Sequence, residues 1–197
     1  IMHGFGVEPE IFNDYKQWIQ EKNPGTFVYI IPINATYNMN TGIEIQLAEV
    51  SKLINTQPEL KNGFIAVSHS MGSALMRGYI EMYNSPPVLK FISLAGLLTG
   101  VFTTQPGFHE ECQNFWNHTI DMYSLEPITP LATIWKFPHD KENYYKHSFM
   151  SILDNNRDYD EKRKQRFASL KQLVLFGDES DGVIIPSETM WFGALAW

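Results

Sequence analysis

The sequence predicts an α/β fold, a mostly parallel sheet flanked by helices. Three observations predict it. Short apolar runs alternate with amphipathic stretches along the chain, with no internal repeat, low-complexity tract or linker. The 197 residues suffice for one domain with a sizeable core. Apolar residues make up 44% and charged residues 19%, a globular rather than a disordered balance.

The elements follow in order. Ile1-Met2-His3-Gly4 reads as the last residues of a strand entering a loop, so further chain is expected before it. Phe27 to Ile31 reads as a buried strand. Ile43 to Ile54 reads as a helix with Ile43, Leu47, Val50, Leu53 and Ile54 on one face. Gly63 to Val67 is the next strand, and Met71 to Tyr83 a helix stopped by Pro86-Pro87. Leu89 to Leu94 and Leu173 to Phe176 are the third and fourth strands.

Between the last two strands lie about 75 residues, far more than a direct crossover needs. They hold Phe102, Phe108, Phe115, Trp116, Tyr123, Trp135, Phe137, Tyr144, Tyr145 and Phe149. The stretch 98–170 is therefore expected to be a helical, aromatic-rich insertion in a single domain of 1–197. It is placed over the end of the sheet where open α/β folds bind ligands. The 14% aromatic content suits a filled core and an apolar groove equally.

Composition removes several function classes. The net charge of −7, without a dominant basic stretch, argues against a nucleic-acid partner. Lys162-Arg163-Lys164 sits beside Asp158, Asp160 and Glu161 and reads as a solvated helix face. A single cysteine, Cys112, excludes an intramolecular disulfide and a thiolate metal cluster. His109, Cys112 and His118 lack a metal spacing, so neither metal nor cofactor is expected. No apolar run reaches membrane-spanning length.

The sharpest chemical signal is Ser68-His69-Ser70-Met71-Gly72-Ser73, which follows an apolar strand and opens a helix. That is the context of a nucleophile elbow, a strained turn that lifts a serine hydroxyl above the sheet edge. The positions two before and two after must be small, because strand and helix backbones nearly touch. Gly72 satisfies this, and Ser68 stands where glycine is usual. The competing reading is an ordinary helix N-cap serine. His3-Gly4-Phe5-Gly6 supplies the second element. Acyl transfer builds negative charge on a carbonyl oxygen, which the Met71 and Phe5 amides are placed in order to stabilise.

An acid belongs after a late strand, where Phe176-Gly177-Asp178-Glu179-Ser180-Asp181-Gly182-Val183 lies. Asp181 is the favoured residue and Asp178 its competitor. A serine hydroxyl also needs a histidine to accept its proton. It should follow Asp181, and residues 182–197 contain none. His69 neighbours Ser70, but adjacent side chains on such a turn should diverge. His147 is the histidine of the insertion best placed to approach a site, with a core or surface role favoured for it. The chain is accordingly expected to continue past Trp197 to a final strand and the histidine; the alternative is an inactive homologue.

These motifs identify the chain as resembling the palmitoyl-protein thioesterases, members of the α/β-hydrolase superfamily. The resemblance runs in order along nearly the whole sequence. It comprises His3-Gly4-Phe5-Gly6, the turn at Ser70, Ser85-Pro86-Pro87, Gly100-Val101-Phe102, Tyr145-Lys146-His147-Ser148-Phe149, Leu153-Asp154-Asn155-Asn156-Arg157, Asp181-Gly182-Val183-Ile184 and Trp191-Phe192-Gly193. It implies hydrolysis of long-chain fatty acyl thioesters, on a palmitoylated protein or acyl-CoA, in lysosomes or the secretory route. Ser70 would be the nucleophile, Asp181 the acid, and the Phe5 and Met71 amides the oxyanion donors. The aromatic insertion would roof an acyl groove, in which each buried CH₂ contributes roughly 0.8 kcal/mol. An oxyester lipase and an inactive lipid-binding homologue are the alternatives. Three departures from the family pattern stand out: the missing histidine, Ser68 in a glycine position, and Cys112 without its partner near Gln105. Asn34-Ala35-Thr36 and Asn117-His118-Thr119 are glycosylation sequons in keeping with that compartment.

Overall fold

A computed structural model describes residues 1–101, 129–136 and 141–193. The aromatics Phe102, Phe108, Phe115, Trp116, Tyr123 and Phe137 lie outside the described residues. So do Cys112, His109, His118, His139 and the Asn117 sequon.

After the glycine loop, α1 (Asn13–Lys22) lies on the surface with none of its residues buried. The short α2 (Ala35–Met39) begins at Asn34, whose exposed side chain accepts from the Tyr37 amide. The amphipathic α3 (Ile43–Asn55) buries Ile43, Gln46, Leu47, Val50 and Ile54. This is the face expected from its spacing, with one polar residue added.

Next come β1 (Phe64–His69), α4 (Met71–Met82) and β2 (Val88–Leu94). The excursion that follows is helical where described: α5 (Leu131–Ile134), α6 (Lys141–His147), α7 (Phe149–Leu153) and α8 (Glu161–Ala168). It returns to β3 (Gln172–Phe176). The three strands form a parallel sheet in the order β1-β2-β3. His69, Leu94 and Phe176 share one register line at its carboxyl edge, so the turns after all three strands open on the same side.

One expectation is corrected. Phe27 to Ile31 forms no regular strand, and Phe27 is exposed. The segment lies beside Ile1, whose N–H donates to the Tyr29 carbonyl and whose carbonyl accepts from Ile31. Met2 in turn bridges Ser68 of β1 in parallel. Two hydrogen bonds to one residue align the segment without building a ladder.

The core explains part of the aromatic content. Trp135, Tyr144 and Phe149 of the excursion are buried in the main hydrophobic cluster with Phe91, Leu75 and Tyr79. These excursion aromatics therefore fill the core. The nucleophile helix α4 buries every residue from Met71 to Glu81.

Candidate active site

Ser70 joins β1 directly to α4 with φ 52° and ψ −128°. In a residue carrying a Cβ this conformation costs about 1–3 kcal/mol and persists only where the surroundings dictate it. Here they do. The Ser70 N–H donates to the Leu94 carbonyl at 3.0 Å, while its carbonyl accepts from Ser73 at 2.9 Å and Leu97 at 3.1 Å. Its hydroxyl makes no capping bond to α4. Ordinary helix capping therefore does not account for this serine.

Close backbone approach sets the neighbouring residues. A Cβ on Gly72 would stand 2.2 Å from the His3 carbonyl oxygen and 2.8 Å from that of Met2. Ser68 fills the other small position, fully buried, with its hydroxyl 2.8 Å from that of Ser73. Ser73 also accepts from Ser93 at 2.9 Å. The hydroxyl that Ser68 adds is thus satisfied beneath the turn, which is what a buried polar group requires.

The glycine loop lies against the serine. A Cβ on Gly4 would stand 2.9 Å from Ser70 Cβ and 3.3 Å from Ser70 Oγ. The loop is anchored on both sides. The buried His3 ring meets the Gly4 carbonyl through Nδ1 at 3.0 Å and the Ile33 carbonyl through Nε2 at 2.5 Å. Gly6 N–H donates to Asn38 Oδ1 at 2.9 Å. Asn38 is fixed by Gln46, which accepts from Asn38 Nδ2 and donates to the Asn38 and Thr41 carbonyls. Gln46 is the polar residue on the apolar face of α3, and that break in periodicity is the signal that could have revealed the anchor. Among the described residues, neither the Phe5 nor the Met71 amide donates to any acceptor. Two such amides beside a serine are suited to an anionic oxygen.

On the third turn, Asp181 Oδ1 accepts from the Val183 amide at 2.7 Å and the Ile184 amide at 2.9 Å. Asp178 is exposed and closes on Ser180, whose hydroxyl and amide hold its carboxyl below the usual range. Of the two acids, Asp181 is the one whose charge acts on His69. His69 makes no hydrogen bond to Ser70, yet both border the glycine loop. Its Nδ1 lies 3.2 Å from the same point off Gly4 that Ser70 borders. Burial pushes its imidazole below the ordinary value, opposed by the Asp181 carboxylate and assisted by His3. His147 instead borders a separate cavity of about 230 Å³ with Glu44, Thr133 and Arg157.

Sequence reasoning also missed a buried charge cluster. Arg77 of α4 bonds Glu81 at 2.7 Å, the Leu98 and Leu153 carbonyls at 2.5 Å each, and Asp154 at 3.0 Å. Asp154 also accepts from the Tyr144 hydroxyl at 2.8 Å and lies 3.7 Å from Lys136 Nζ. The Arg77 guanidinium sits 5.2 Å above the Phe192 ring. The Leu153-Asp154 and Trp191-Phe192-Gly193 motifs thus meet on the nucleophile helix. Among the described residues, no group of three His, Cys, Asp or Glu side chains could hold a metal ion. No described helix is long and apolar enough to cross a membrane.

The family model described as palmitoyl protein thioesterase matches residues 1–197. The chain is 29% identical to palmitoyl-protein thioesterase 3 of Dictyostelium discoideum, covering 100% of this chain and 69% of that protein. It is 26% identical to palmitoyl-protein thioesterase 1 of Caenorhabditis elegans, covering 97% and 69%. It is 20% identical to the human lysosomal thioesterase PPT2, covering 98% and 66%. Among solved structures, phospholipase PlaB from Legionella pneumophila superposes with a TM-score of 0.51 at 16% identity, covering 89% of this chain and 39% of that one. That likeness speaks to the fold, which is an α/β-hydrolase. The chain belongs to the palmitoyl-protein thioesterase family of hydrolases.

Proposed function

We propose that the protein hydrolyses long-chain fatty acyl thioesters, such as S-palmitoyl cysteine, through an acyl-Ser70 intermediate. The observation that carries this reading is the strained Ser70 turn with Gly4 packed against its side chain. Ser70 Oγ attacks the thioester carbonyl carbon and gives its proton to an imidazole held by Asp181. The carbonyl oxygen becomes an anion facing the Phe5 and Met71 amides. The tetrahedral intermediate collapses, the C–S bond breaks, and the departing sulfur takes up the proton. Water then attacks the acyl-serine ester, releasing the fatty acid and restoring the hydroxyl. Residues 182–197 contain no histidine to supply that imidazole.

The names of relatives support a lysosomal placement. The exposed Asn34 of the sequon Asn34-Ala35-Thr36 is open to glycosylation. The test is turnover of palmitoyl-cysteine peptide and palmitoyl-CoA, each compared with the oxygen-ester analogue, by wild type and Ser70→Ala. Thioester cleavage lost in Ser70→Ala is expected. Cleavage retained in that variant overturns the serine mechanism, and a rate ratio favouring the oxygen ester turns the assignment to a lipase.

A further inference from the structure

We propose that His69 is a positioning residue of the nucleophile site, linking the Asp181 loop to the Ser70 turn across the glycine loop. The inference rests on the serine-hydrolase reading above. His69 ends β1, and its ring packs 6.0 Å from Phe12, the residue that leads into α1. Its Nδ1 is buried and meets no hydrogen-bond partner. The same Nδ1 borders the space beside Gly4 that Ser70 Cβ and Oγ also border. The glycine loop and the serine turn therefore meet at one imidazole, and the acid loop acts on it through the Asp181 charge.

A buried polar atom without a partner is costly and is retained where something during function meets it. Asp181 uses Oδ1 to close its own turn through Val183 and Ile184, and its charge reaches His69. The titratable groups that act on His69 are Asp181 and, from the glycine-loop side, His3. In the folded protein at neutral pH the ring is uncharged, because burial outweighs the Asp181 carboxylate. A neutral imidazole beside the serine turn offers an unused ring nitrogen and a fixed dipole. It leaves the Asp181 charge unneutralised for the imidazole that takes the Ser70 proton.

Two measurements test this on the full chain. The first is the NMR titration of the His69 ring in wild type and Asp181→Asn, which does not depend on turnover. Loss of the carboxylate is expected to move the midpoint to lower pH; an unmoved midpoint overturns the juxtaposition. The second is the rate at which a hexadecyl fluorophosphonate labels Ser70, followed against pH. His69→Phe is expected to slow labelling about tenfold, with His69→Asn, which keeps a polar atom near the Nδ1 position, recovering most of the rate. Equal rates in wild type and His69→Phe, or no recovery in His69→Asn, overturn the positioning role. Wild type that never labels overturns the hydrolase reading instead, and the titration then still decides whether His69 and Asp181 are joined.

Discussion

The carbonyl oxygen of His3 occupies the space into which a side chain at Gly72 would project, 2.2 Å from where its Cβ would stand. Neither partner can retreat cheaply. The buried His3 ring is held between the Gly4 and Ile33 carbonyls, and Gly72 sits in the first turn of a helix buried from Met71 to Glu81. Gly72→Ala is expected to cost roughly 3 kcal/mol through overpacking. Urea unfolding followed by circular dichroism measures it; a loss of only a few tenths of a kcal/mol would contradict the close approach.

The two acids of the third turn are separable by substitution. Asp181→Asn is expected to lower kcat by about 10⁴, the size of effect seen when a triad acid is neutralised. Asp178→Asn, exposed and closed on Ser180, should stay within a few-fold of wild type. Palmitoyl-thioester turnover by the two variants decides, and the reverse ranking transfers the role to Asp178.

Arg77 offers a stability test. Arg77→Met would leave Glu81 and Asp154 buried without their shared cation. Stranding such charges is expected to cost about 3–5 kcal/mol. Glu81 is already held above the ordinary carboxyl range by burial, which Arg77 opposes. The variant should therefore bind a proton there on folding. Its destabilisation, read from denaturation midpoints, should be smaller at pH 5 than at pH 8; a pH-independent loss would argue against the pairing.

His69 carries a pH dependence of its own. Burial holds its folded value below the ordinary 6.5. Between those two values the unfolded chain binds a proton that the native state refuses, so native stability falls as pH drops below about 6.5. His69→Asn removes this contribution. The fall in Tm between pH 8 and pH 5 should be smaller in the variant, and parallel Tm profiles would show that the ring is not held neutral.

Much of this was legible in the sequence because it rests on local constraints. The 3.6-residue spacing from Ile43 to Ile54 gave the buried face of α3, and the apolar runs located β1, β2 and β3 to within a residue or two. Gly72 and Ser68 announced a close backbone approach by their size alone. What was not legible depends on distant partners. Phe27 to Ile31 has strand composition, but ladder formation depends on a neighbouring strand, and across the chain the segment meets Ile1 at two bonds. Trp135, Tyr144 and Phe149 could equally have lined a groove, until their burial placed them in the core. Arg77 looks like any helical arginine, because Leu98, Leu153, Asp154 and Phe192 reach it from far along the chain.

That convergence on Arg77 bears on how the molecule opens. The side chain is bonded to the start of the long excursion at Leu98 and to its later part at Leu153-Asp154, and lies over the ring of Phe192 beyond the acid turn. None of these segments can detach from the nucleophile helix without breaking contacts that satisfy a buried guanidinium. They should therefore behave as a single cooperative unit, whose amides exchange with solvent at one common free energy rather than in a graded series. α1, with no buried residue, lies outside that unit and is free to fray alone.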